Sequence, residues 1–202
     1  MKRTISVLAA FLLLLGLTAC NNNAAQTSNV EPQSSQKAEA SNDLSADTLV
    51  VYFSQTGNTK EVAQKIADIT GADLYEIKAA EEYTSDDLNY NDSDSRATRE
   101  QGDASVRPGI GSDALTLDGY TTIYIGYPIW WGEEPRIMDT FVESYDFVGI
   151  TMIPFCTSGS SGIGRSGQNL ADNAGSGTWL EGKRFGAGAS EEDIKAWIEE
   201  IQ

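Results

Sequence analysis

The segment Ser54-Gln-Thr-Gly-Asn-Thr59 gathers the short hydroxyl and amide side chains of Ser54, Thr56, Asn58 and Thr59 around Gly57. It lies between an apolar run and an amphipathic one. A loop that leaves the carboxyl end of a buried strand and opens a helix collects anions, because backbone N–H groups converge there and the helix N-terminus carries partial positive charge. Gly57 permits a tight turn and a close backbone approach. Gln55 adds an amide, and Lys60 reads as a solvated first-turn residue. The loop is neither G-x-x-x-x-G-K-[ST] nor G-x-G-x-x-G, which argues against nucleoside triphosphate hydrolysis. Taken alone, it reads either as a phosphate cradle or as a plain strand-to-helix turn with a hydroxyl cap.

Other chemistry is bounded by composition. The 202 residues include no histidine, so Ser-His-Asp and Cys-His triads and His-based metal sites are excluded. The formal net charge is -16. A surface this acidic repels nucleic-acid phosphates, so no nucleic-acid partner is expected; a basic partner suits it better. Cys156 reads as a small buried hydrophobe rather than a redox thiol.

The elements that position the loop follow from patterning. Thr48 to Phe53 is a continuous β-branched and aromatic run, as in a strand buried on both faces. Val62, Ile66 and Ile69 mark one face of a helix that Gly71 stops. Further strands are predicted at Leu74–Ile77, Thr121–Tyr127, Thr151–Cys156 and Thr178–Leu180, the last extended by Arg184-Phe185. Pro154 is awkward in a central strand. Pro135 suits a first helical position, followed by the apolar face of Ile137, Met138, Phe141, Val142 and Tyr145. Glu133 and Glu134 favour that helix start through its dipole. A weak helix is read over 163–172, and Ser190 caps a last helix carrying Ile194, Trp197, Ile198 and Ile201. Residues 81–118 read as a polar, mostly irregular excursion with one helical turn near Ser95–Gln101. Alternating strands and helices predict an α/β fold with a parallel sheet covered on both faces.

The N-terminus has a different logic. Lys2 and Arg3 precede a short apolar run, Ile5 to Leu17, and then Leu17-Thr18-Ala19-Cys20. This resembles the lipobox of bacterial lipoproteins. It implies a signal peptide over 1–19, lipidation at Cys20 and a cell-membrane anchor on the extracytoplasmic face; an ordinary signal peptide is the alternative. Residues 20–46, rich in Asn, Gln, Ser and Ala, read as a disordered tether ahead of a folded domain over 47–202.

SQTGNT after a VVYF strand resembles the FMN phosphate loop of the flavodoxins, [ST]-x-T-G-N-T. Two further segments support the resemblance: Gly126-Tyr-Pro-Ile-Trp-Trp-Gly-Glu-Glu-Pro135 and Phe155-Cys-Thr-Ser-Gly-Ser-Ser-Gly162. Their spelling, YPIWWGEEP with PFCTSG, looks like a bacterial flavodoxin-like subfamily. The resemblance implies a doubly wound five-stranded parallel sheet of order 2-1-3-4-5, with ligands outside the carboxyl ends of its strands. It implies that Ser54, Gln55, Thr56, Gly57, Asn58 and Thr59 hold the phosphate of FMN. It places Pro128, Ile129, Trp130, Trp131 and Gly132 beside the flavin ring, with one of the two tryptophans stacking, and Thr157, Ser158 and Gly159 at its pyrimidine edge. Thr157 to Arg165 contains no aromatic residue, which leaves room over the outer flavin face. Three functions stay open on these grounds. They are an electron carrier serving a redox partner protein or small-molecule acceptor, an NAD(P)H-dependent FMN reductase of quinones or other small acceptors, and a non-redox binding module.

Overall fold

The computed structural model describes residues 47–201; the readings on residues 1–46, Cys20 among them, lie outside the described residues. At the centre is β1 (Thr48–Phe53), buried at every position. It pairs in parallel with β2 (Asp73–Ile77) on one side and β3 (Thr122–Pro128) on the other. β3 pairs with β4 (Thr151–Thr157), and β4 with β5 (Thr178–Trp179), so the strand order is β2-β1-β3-β4-β5. β6 (Lys183–Phe185) continues the edge, pairing with the far end of β4.

Side-chain alternation divides the core between the two faces of the sheet. Val50, Tyr52, Tyr124, Ile153 and Phe155 pack under α1 (Asn58–Thr70) and α5 (Glu191–Ile201). Leu49, Val51, Phe53, Ile123, Ile125 and Tyr127 pack under α3 (Arg136–Glu143) and α4 (Ser166–Ala174). Gly71 ends α1 in the left-handed region at φ 71°. Ser190 caps α5: its hydroxyl accepts from Asp193 N at 3.1 Å. Pro135 stands one position earlier than expected. It caps α3 from extended backbone, ψ 139°, so the helix starts at Arg136.

Pro154 does sit inside β4, opposite Ile125. The outer neighbour of β4 explains this. β5 covers Thr151 and Met152, β6 covers Phe155 to Thr157, and Pro154 falls in the gap between them. Its missing N–H therefore breaks no ladder.

The 81–118 excursion is more ordered than its composition predicts. Ala79 and Ile110 form an antiparallel bridge that ties its two ends together. Its helix, α2 (Arg96–Gly102), is capped by Ser95. Tyr83 anchors it: the ring lies 3.9 Å under the Arg96 guanidinium, and the hydroxyl donates to Glu100 Oε2 at 2.6 Å.

Gly126 is a packing requirement. A Cβ there would lie 2.1 Å from Phe155 Cζ, so the neighbouring strand's ring fills that space. Gly126→Ala should cost about 3 kcal/mol, at the upper end of overpacking losses. Denaturant unfolding checks this, and Phe155→Leu in the same chain should recover part of the loss.

Candidate functional site

Every predicted site residue of the three loops except Gly57 and Gly132 lines one cleft of about 440 Å³. It opens at the carboxyl ends of β1, β3 and β4, where a doubly wound sheet binds ligands. Leu88, Tyr90, Ala97 and Ala187 complete the wall, and among the described residues no Lys, Arg, Asp or Glu lines it.

The first loop lacks the hydroxyl cap that an ordinary helix start would have. Gly57 is the N-cap of α1, at φ 89°, and no side chain accepts from the first turn. The leading N–H groups therefore face the cleft unserved by a cap. Ser54 Oγ is buried there without a hydrogen-bond partner. Asn58 Nδ2 donates to Thr56 Oγ1 at 3.2 Å, which holds the loop's shape. Thr59 is buried, and its hydroxyl meets Thr157 Oγ1 at 2.8 Å, joining the first loop to the third.

The second loop separates the two tryptophans. Trp130 N donates to Glu133 O at 2.9 Å and Glu133 N returns the bond at 3.0 Å. Trp131 and Gly132, at φ 50° and 90°, are the central residues of this turn. Both positive φ values match a type I′ turn. For Gly132 this is free, whereas for Trp131 it stores on the order of 1–2 kcal/mol of backbone strain. Trp130 is buried, edge-on to Phe53 and Tyr83 at 5.6 and 5.2 Å. It is core with one margin at the cleft. Trp131 is 38% exposed and stacks on Tyr90 at 4.0 Å, 16° from parallel.

Tyr90 is the aromatic residue that the third loop lacks. It comes from the excursion, and its hydroxyl donates to Ile129 O at 3.4 Å. Its Asn- and Asp-rich surroundings carry no periodicity, so nothing local marks it as a site residue. From its sequence Arg184 likewise reads only as a strand residue. Its guanidinium donates to Ser158 O at 2.6 Å, Gly159 O at 2.9 Å and Ser158 Oγ at 3.1 Å, and so fixes the third loop. Ser158 has its N–H on Phe185 O of β6 at 3.2 Å and its hydroxyl on Ser161 O of its own loop, so both donors are already engaged. Cys156 is fully buried, and burial pushes its thiol up to about 12.

Glu134, directly ahead of the α3 N-cap, is also buried, which its place in the sequence does not show. It is 1% exposed, with Oε1 3.7 Å from Arg136 Nη1 and Oε2 accepting from Asn169 Nδ2 at 3.2 Å. Tertiary packing of α2, α3 and α4 encloses it, and a dipeptide of two acids cannot reveal which one turns inward.

A family profile described as Flavodoxin matches residues 47–201, the whole of the described fold. The chain belongs to the flavodoxin family. No curated protein matches this flavodoxin. Among solved structures, a proposed flavoprotein from Bacteroides uniformis ATCC 8492 is 44% identical, with TM-score 0.73, covering 77% of this chain and 99% of that one. A second, from Bacteroides eggerthii DSM 20697, is 41% identical, with TM-score 0.72, covering 77% of this chain and 97% of that one. A flavoprotein from Lactobacillus acidophilus NCFM, solved in complex with FMN, shares the fold at 24% identity and TM-score 0.58, covering 76% and 99%.

Proposed function

We propose that this flavodoxin binds FMN non-covalently in the three-loop cleft and carries electrons to a redox partner protein or a small-molecule acceptor. The observation that carries the reading is the buried, partnerless Ser54 hydroxyl beside an uncapped α1. Buried polar groups are nearly always hydrogen-bonded, so a hydroxyl left over in a cleft marks the place of an anionic ligand. A phosphate fits it: N–H groups and hydroxyls converge, and no carboxylate lines the cleft. The volume suits a cofactor-sized ligand, and Trp131 offers a flat apolar face. FMN, when bound, supplies reversible transfer of one or two electrons. The chain contributes the rest. Ser54, Thr56, Asn58 and the α1 N–H groups hold the phosphate. The Trp131–Gly132 turn orients the ring. The Thr157–Gly159 loop, fastened by Arg184, closes the far wall. The net charge of -16 favours a basic electron-transfer partner. With Cys20 as a lipidated residue, the domain stands on the outer face of the cytoplasmic membrane.

Titrating the protein with FMN tests the reading through flavin absorbance and fluorescence. Uptake of one FMN supports it; no uptake leaves a non-redox module. Turnover of a nicotinamide with a quinone would move the assignment to a reductase. Ser54→Ala separates the two roles of that hydroxyl. It should stabilise the FMN-free protein by about 1 kcal/mol, since an unsatisfied buried group is removed, and weaken FMN binding about tenfold. Thermal unfolding and FMN titration of the variant read both effects.

A further inference from the structure

Behind the Trp130–Glu133 turn lies a buried charge cluster that cofactor binding does not use. Glu134, Arg136 and Asp139 are buried together. Three of the cluster's buried polar atoms have no hydrogen-bond partner: Glu134 Oε1, Arg136 Nε and Gln101 Oε1. Native interiors tolerate few such atoms, and three in one place mark a site that exchanges a proton or holds water.

The charges in the cluster do not balance. Arg136 faces Glu133 at 2.7 Å, Asp139 at 3.5 Å and Glu134 at 3.7 Å. Arg107 faces Glu143 at 2.7 Å and Asp139 at 4.0 Å. Two guanidinium groups thus serve four carboxylates. Glu134 is served least. Apart from Arg136, its carboxyl has the neutral Asn169 amide from α4 and the buried phenol of Tyr127 nearby on β3, while Gln101 from α2 bonds only its backbone carbonyl. Asp139, by contrast, has both arginines and Asn173 Nδ2 at 2.9 Å.

Gln101 ties the Glu134 backbone to the cofactor loop. Its Nε2 donates to Trp130 O and to Glu134 O, both at 3.1 Å, clasping the two ends of the turn that presents Trp131. A proton on Glu134 would turn Oε1 into a donor, in a cluster where the Gln101 carbonyl lacks one.

We propose that Glu134 is a redox-linked proton site, taking one proton from solvent as an electron from a donor protein reaches the cofactor beside Trp131. This rests on the FMN reading. The balance is one electron to the cofactor and one proton to the Glu134 carboxylate, so the added negative charge is offset inside the fold; oxidation returns both. Burial, chiefly, already pushes the Glu134 carboxyl up to about 7, where a nearby charge shifts its occupancy most. Glu134 acts through the loop and its field, as a positioning residue.

The test is electrochemical and infrared. On reduction at an electrode, the FMN-loaded protein should show a new protonated-carboxyl band that Glu134→Gln lacks. Between the two protonation midpoints of Glu134, each pH unit should shift the wild-type reduction equilibrium by up to about tenfold more than that of Glu134→Gln. Asp139→Asn should keep the band, with the pH range of the slope moved down, because the Asp139 charge is one of the causes that raise the Glu134 carboxyl. The proposal is overturned if FMN binds and Glu134→Gln matches wild type, or if Asp139→Asn removes the signal instead. Carboxyl ¹³C NMR of the wild-type, FMN-free protein covers a variant that does not fold or a chain that takes up no FMN. A Glu134 titration near 7 supports the proton site, whereas one in the ordinary carboxylate range overturns it. Failure of FMN uptake alone sinks the functional reading and leaves that titration to stand.

Discussion

Arg136→Met should lose about 3–5 kcal/mol of folding stability at pH 8, among the largest losses open to a single substitution here. Arg136 is buried and is the cation nearest to both Glu134 and Asp139, which are themselves 1% exposed. Removing it strands the Glu134 carboxylate in a poorly solvated space and leaves Asp139 with Arg107 at 4.0 Å as its remaining cation. The loss depends on pH, and its sign follows from the shifts. Burial raises both carboxyls above their ordinary values, Glu134 from 4.5 to about 7. The folded state therefore holds protons that the unfolded state releases, and the Glu134 contribution falls as pH rises from about 4.5 through 7. In the variant the carboxyls move higher still, so most of its deficit should vanish by pH 5. Glu134→Gln with Arg136→Met should recover much of the loss at pH 8. Urea unfolding across pH 5 to 8 measures all of this.

The paired tryptophans should part company. Trp130→Ala should cost about 3–5 kcal/mol, because a buried indole wedged between Phe53 and Tyr83 leaves a cavity that cannot collapse. Trp131→Ala should change stability by under about 1 kcal/mol, since a half-exposed ring is lost while left-handed backbone strain persists. Its cost falls on FMN instead, at about 1–2 kcal/mol of stacking, or roughly fivefold to thirtyfold in Kd. Trp131→Gly, which relieves the φ of 50°, should be more stable than Trp131→Ala and bind FMN as weakly. Unfolding and FMN titration of the three variants distinguish core from contact.

Both predictions concern what local pattern cannot show. Trp130 and Trp131 are identical letters, one residue apart in a turn. Which one enters the core depends on the positive φ pair that points them apart and on Tyr83 and Phe53 meeting the first. Glu133 and Glu134 repeat the lesson. One is half exposed and paired with Arg136, while the other is enclosed by three helices. Tyr90 reaches the cleft only because the Ala79–Ile110 bridge and the Tyr83 anchor fold the excursion back over it.

The alternating strands and helices of a parallel α/β fold are legible in the residues themselves, whereas the strand order 2-1-3-4-5 and the grouping of the three loops follow from the resemblance to the flavodoxins. Strand-buried runs, helix faces and a Gly-centred loop are local patterns that neighbouring residues specify. The same patterns leave the SQTGNT segment as either a phosphate cradle or a plain strand-to-helix turn. Tertiary structure alone decided that α1 goes uncapped, that Ser54 is left without a partner and that Thr59 is spent on Thr157. Those outcomes turn on which hydrogen bonds are satisfied, and satisfaction is a property of neighbours brought together from distant parts of the chain.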